Sequence, residues 1–257
     1  MPLVKMSTLL EKAKKEKYAV GSFSVANMEM VLGVIKAIEE TKSPAIIQIA
    51  EVRLNHSPLE LIGPLMVAAA KNSSVPVAVH FDHGKTEEKI RQALEIGFTS
   101  VMFDGSHLPF EENAATTAKI KSIAAEFNAD CEGEIGCVGG SEDGSEDIAI
   151  NCTSPSQAKE FYEKTGVDAL AVAIGNAHGN YKETPKLRFD ILEKTADTVS
   201  IFPCLRNSSL WRRRAESNIL KCPTSSPSGE RKPLLRSLLK LKTAWKRSSA
   251  GTLNQIP

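Results

Sequence analysis

VPVAVHFDHG, Val75–Gly84, joins two kinds of chemistry within ten residues. Val75 to Val79 is an apolar run of strand type, and it leads into His80, Asp82, His83 and a glycine. A strand that is apolar on both sides belongs in a sheet covered on both faces, which points to parallel α/β architecture. Polar residues at its carboxyl end fall where parallel α/β folds build their sites.

The flanking sequence repeats the pattern. Tyr18–Val25 and Ser43–Ala50 read as strands before it, and Phe98–Asp104, Ala129–Gly136 and Val167–Gly179 as strands after it. Helical spacing fills the gaps at Asn27–Glu40, Leu59–Lys71, Glu87–Ile96, Phe110–Phe127, Ser156–Thr165 and Phe189–Ala196. In the first of these, Met28, Val31, Leu32, Ile35 and Ile38 share a helical period, with Met28 and Met30 expected to pack. The Lys-rich helix at Glu11–Lys17 reads as solvated. Strands recur roughly every 30 residues, the size of a βα unit. Six units predict a TIM (β/α)8-type barrel that is incomplete, or a doubly wound sheet. The first strand is followed by no GxGxxG fingerprint, which favours the barrel.

In a barrel all strand ends share one rim. That would gather His80, Asp82 and His83 with Asp104, His107, Glu132, Glu134 and His178. His83 and His178 are candidate metal ligands, because imidazoles from separate strand ends can converge on one ion. Asp82 is a candidate acid/base beside them. Its bland alternative, a cap for the next helix, is better served by Thr86 with Glu87 and Glu88 following. Gly136, Gly139, Gly140 and Gly144 surround Glu142 and Asp143 in a loop read either as a substrate cover or as a solvated acidic turn.

Composition bounds the rest. The 257 residues are 42% hydrophobic and 25% charged, as in ordinary globular proteins. The five cysteines form no CxxC pair, so a reduced, cytoplasmic protein without a disulfide framework is expected. No signal peptide or membrane span is expected either. The net charge of +1 hides an asymmetry. Residues 1–202 carry 20 Lys+Arg against 29 Asp+Glu, and residues 203–257 carry 12 against 2. All five histidines lie in the first part. The βα pattern is expected to stop at Phe202, leaving a barrel domain over 1–202 and a basic, poorly ordered tail over 203–257. Within the tail, Leu234–Trp245 could form a basic amphipathic helix. Charge without aromatic interleaving argues against a nucleic-acid function.

Taken in order, MPLV, YAVGSFSVANME, VHFDHG, GFTSVMFDGSHLPFEEN, CEGEIGCVGGSEDG and TGVDALAVAIGNAHGNYK make this chain recognisable. It resembles the class II, metal-dependent ketose-bisphosphate aldolases, from Met1 to about Ser200. The resemblance implies a (β/α)8 barrel, a homodimer or homotetramer, and cleavage of fructose or tagatose 1,6-bisphosphate. It implies Asp82 as proton donor to the C4 oxygen. His83 and His178 would be two of three zinc-binding histidines, with Asp104 and Glu134 at an alternative metal position. A second metal or a monovalent cation would fit the family as well. Glu142 would exchange a proton with the dihydroxyacetone phosphate half, and Gly179 would contact that half through its backbone. Ser24 stands at a substrate-side position where many relatives have Asn, and Ala50 where many have Ser.

The resemblance fails after Phe202. The family's seventh strand ending in His-Gly-Gly and its eighth with a phosphate loop are not found in this sequence. Two histidines leave a weaker zinc site unless Glu134 or a tail group such as Cys204 completes it. A frame-shifted or truncated terminus would explain the change. The implied function is a zinc aldolase, inactive if the barrel cannot close. The alternative is a degenerate remnant that binds only a metal or a partner.

Overall fold

The computed structural model describes residues 2–16, 18–138, 151–178, 186–199 and 202–204, the last three by backbone alone. Seven strands form one parallel sheet in chain order: β1 (Gly21–Ser24), β2 (Ala45–Ala50), β3 (Val77–Gly84), β4 (Ser100–Phe103), β5 (Asp130–Ile135), β6 (Ala169–Val172) and β7 (Phe202–Cys204). Helices alternate with them: α1 (Met6–Glu16), α2 (Met28–Thr41), α3 (Leu59–Asn72), α4 (Glu87–Ile96), α5 (Phe110–Glu126), α6 (Pro155–Thr165) and α7 (Phe189–Thr198). A 3-10 turn, Glu51–Asn55, follows β2. Strict chain order in an all-parallel sheet is the winding of a TIM-type barrel. Seven parallel strands lie among the described residues.

Six strands and six helices fall where the sequence placed them. β7 is a correction: the strand pattern runs through Cys204, where Ala171 pairs with it, rather than stopping at Phe202. The rest of the tail, including Leu234–Trp245, lies outside the described residues. No described helix is long and apolar enough to cross a membrane.

Side-chain alternation divides the strands into two faces. Ile47, Ile49, Val77, Val79, Phe81, Val101, Phe103, Cys131, Ile135, Leu170 and Val172 join the apolar layer under the helices. The residues between them face the barrel interior. At the strand amino ends Ile46, Ala78 and Ala169 pack with Met6 and Leu9 of α1 in a separate apolar cluster. The backbone N–H of Ser7 donates to Asp130 Oδ2 at 2.6 Å. So α1 closes the bottom of the barrel. The helix starts earlier than the Glu11–Lys17 stretch read as solvated; Met6 and Leu9 are buried ahead of that stretch, and within it Ala13 is buried, which corrects the reading at that position.

The packing face of α2 also departs from expectation. Val31, Val34, Ala37 and Ile38 are buried, whereas Met28 and Leu32 are each more than half exposed. Met30 packs against the core as expected.

Candidate metal centre and acid–base site

The polar half of the interior begins on β3. Gln48 of β2, His80 of β3 and Ser100 of β4 stand in register across three strands. His80 is almost wholly buried, and its Nδ1 lies 2.9 Å from Ser100 Oγ. Its Nε2 lies 3.3 Å from Glu132 Oε2 and 3.7 Å from Asp82 Oδ1. Asp82 is fully buried, and Gln48 Nε2 donates to its Oδ2 at 2.6 Å. The same Gln48 amide reaches Ser24 Oγ at 3.1 Å, and Ser22 Oγ donates to Gln48 Oε1. Asp82 therefore belongs to a chain of hydrogen bonds and close polar contacts from β1 to β5. Thr86 caps α4 by accepting from Lys89 N, so Asp82 has no capping role there.

One residue further, His83 turns to the rim. Its Nδ1 donates to Asp104 Oδ2 at 2.7 Å. Burial is the largest influence on Asp104 and opposes its charge. The hydrogen bond and charge of His83, with two hydrogen bonds from Ser106, outweigh burial and hold the carboxyl well below the usual carboxylate range. Glu134 is buried on β5, two residues beyond Glu132 and on the same inward face. Between them Gly133 faces outward, where a Cβ would meet the Phe161 ring at 2.9 Å.

His83, Asp104 and Glu134 bring one ligand atom each to within 4.8 Å of one another. The His178 imidazole lies against that of His83, ring centroids 5.0 Å apart and planes at 71°. Two imidazoles with a carboxylate is a donor combination of catalytic zinc sites, and the commitment of His83 Nδ1 to Asp104 leaves Nε2 as the ring's electron-pair donor. These residues fit a divalent metal. Asp104 and Glu134 are the described carboxylates within reach of His83. Cys204 stands by its backbone on the same rung, through Glu134↔Ala171 and Ala171↔Cys204.

The other expected residues fall elsewhere. Ser24 sits at the end of β1, joined to Asp82 through Gln48. His107 is exposed and outside the cluster. Glu142 and Gly179 lie outside the described residues. Burial, then the charges of Glu134 and Asp104, raise the Cys137 thiol, and burial raises that of Cys131, so neither is a thiolate nucleophile. The sequence reading passed over Gln48. Its one available signal was an amide in the otherwise apolar AIIQIA.

A parallel barrel with an imidazole–carboxylate cluster at the strand carboxyl ends has the layout of the enzyme-bearing barrels. The family model for class-II fructose-bisphosphate aldolase matches residues 4–209, and the chain belongs to that family. It is 39% identical over 214 residues to a fructose-bisphosphate aldolase of Giardia intestinalis, covering 81% of this chain and 66% of that one. It is 40% identical over 205 residues to a sulfofructosephosphate aldolase of Alkalicoccus urumqiensis, covering 78% of this chain and 70% of that one. The crystal structure of the YdjI aldolase from Escherichia coli K12 matches with a TM-score of 0.65 and 35% identity, over 77% of this chain and 70% of that one. The chain spans about two thirds of the length of the curated relatives it matches.

Proposed function

We propose that the chain is a zinc-dependent aldolase that cleaves a ketose 1,6-bisphosphate, fructose or tagatose, to dihydroxyacetone phosphate and glyceraldehyde 3-phosphate. The observation that carries this reading is Asp82: a buried carboxylate oriented by Gln48 and placed one residue from the His83–Asp104–Glu134 cluster. Breaking the C3–C4 bond requires the C4 hydroxyl to lose a proton and C3 to gain one. Asp82 takes the hydroxyl proton, and Glu142 delivers the proton to C3. His83, His178 and Glu134 would hold zinc, with Asp104 orienting His83 or offering an alternative position. Bound zinc supplies Lewis acidity toward the sugar's carbonyl and hydroxyl oxygens.

The sugar bisphosphate is the proposed small-molecule partner, the cytoplasm the proposed compartment, and a homodimer or homotetramer the proposed assembly. A similar relative named for sulfofructosephosphate puts that sugar in the same test. The test is a coupled assay for dihydroxyacetone phosphate release from each sugar, using full-length protein with added zinc. Release abolished by a chelator and by Asp82→Asn is expected. Soluble, zinc-loaded protein that releases no product from any of the sugars would sink the proposal.

One observation favours the second reading, a remnant that binds metal without catalysis. Residues 179–257 contain no histidine, so the third imidazole that the resemblance implies does not come from them. Chelator-reversible zinc binding without turnover would support it.

A further inference from the structure

Regular alternation would point His83 away from Asp82, toward the helices. The two nonetheless share one side because β3 bulges. Phe81 stands opposite Val101 and Gly84 opposite Phe103, so Asp82 and His83 together oppose Met102 alone. Such a bulge re-aims a side chain. His83 adopts φ +45°, in the left-handed region that L residues seldom occupy. A conformation of that kind persists only where its surroundings over-determine it.

Two supports are visible. On one side, Gly84 has no room for a side chain: an added Cβ would lie 2.5 Å from the Met102 carbonyl oxygen. Its own carbonyl accepts from Asp104 N at 2.9 Å. On the other side stands Glu51, the first residue after β2. Its Oε2 accepts from Lys85 N at 2.6 Å and from Thr86 N at 3.4 Å, and its Oε1 accepts from Thr86 Oγ1 at 3.3 Å. These are the first two backbone N–H groups beyond Gly84, the last residue of β3. Thr86 Oγ1 also caps α4, so the Glu51 carboxylate ties the end of β2 to the bulge and to the start of the next helix. Hydrogen bonds from N–H to an ionised carboxylate are the strong kind.

We infer that Glu51 is a positioning residue for the metal centre: its carboxylate holds the turn after the β3 bulge and thereby aims His83 at Asp104 and Glu134. The functional consequence rests on the metal reading above, while the positional one does not. Partners of ligands, when removed, typically cost about 10–100-fold in metal affinity.

The test measures zinc affinity of the full-length protein by competition with a chromophoric chelator. Glu51→Ala, one step further out than a direct partner of a ligand, is expected to bind about tenfold more weakly, the lower end of that range. Glu51→Gln keeps an oxygen that can accept both N–H groups, and it is expected to recover most of the loss. A merely structural role would lower the melting temperature and leave the affinity of the folded protein unchanged. That result, or Glu51→Ala binding zinc like the wild type, overturns the inference. Where Glu51→Ala does not fold, Glu51→Asp, one methylene short of the turn, replaces it with the same expected loss. If the wild type holds no zinc, the metal reading fails separately. Crystal structures of wild type and variant then decide the positional claim: His83 leaving positive φ and its bond to Asp104 supports it, and an unmoved His83 overturns it.

Discussion

At the amino ends of β2, β3 and β6 the inward positions are Ile46, Ala78 and Ala169, sealed by Met6 and Leu9 of α1. Further along the same strands and the same face stand Gln48, His80 and Asp82, with Glu132 and Glu134 on β5. One end of the interior is an apolar plug, and the other is a buried polar network. The difference teaches where each property is stored. Apolar burial stabilises, whereas buried carboxylates and imidazoles are costly and are tolerated when they are paired and used. Changes at the bottom should move stability and spare chemistry, and changes at the rim should do the reverse.

The sharpest test of that contrast is His83→Ala. It removes a proposed ligand outright, so zinc affinity is expected to fall by more than the about 100-fold upper range for an outer partner. The melting temperature should fall by less than for a core truncation, because Asp104 loses its bond to His83 but keeps those from Ser106. A large loss of stability with metal affinity preserved would break the contrast at its strongest point. Leu9→Ala is the counterpart at the bottom. It empties a buried leucine and is expected to cost about 2–5 kcal/mol in denaturant unfolding. Zinc affinity of the molecules still folded should match the wild type. Gln48→Ala is gentler. It removes the amide 2.6 Å from Asp82 Oδ2 but leaves the carboxylate itself. The expected result is a kcat reduced about tenfold, within what a positioned acid–base group contributes, with KM little changed. A shift confined to KM would place Gln48 in substrate binding instead.

These contrasts were unequally visible in the sequence. Six strands and their helices were legible because continuous apolar runs alternate with helical periods, and the rim residues because they fall where those runs end. Asp82 and His83 were legible as candidates, but not how both reach one side. A bulge depends on its partner strand, and Met102 opposing two residues leaves no mark in HFDHG. Glu51 and Gln48 act across neighbouring strands, 34 residues from their partners Lys85 and Asp82. No local pattern encodes such a pairing. The plug on α1 was hidden because three lysines dominate its last two turns, while Met6, Leu9 and Ala13 lie on the opposite stripe.

Asp130 offers the finest test, because it is the one carboxylate at the apolar end among the buried residues described there. Burial raises its pKa, against the hydrogen bonds from Ser7 and the charge of Lys5, with Asp168 adding to the rise. A carboxyl whose folded pKa exceeds its unfolded value costs stability when charged. That cost is present at neutral pH and fades as pH falls through the raised folded pKa toward the unfolded one. Asp130→Asn keeps an oxygen for Ser7 N and removes the charge. Denaturant unfolding from pH 8 to pH 4 should show the variant gaining on the wild type at neutral pH, by less than the Leu9→Ala cost. The gap should close on acidification. A gap that stays constant across that range would mean the charge at the bottom of the barrel carries no penalty, and the contrast between the two ends would then rest on shape alone.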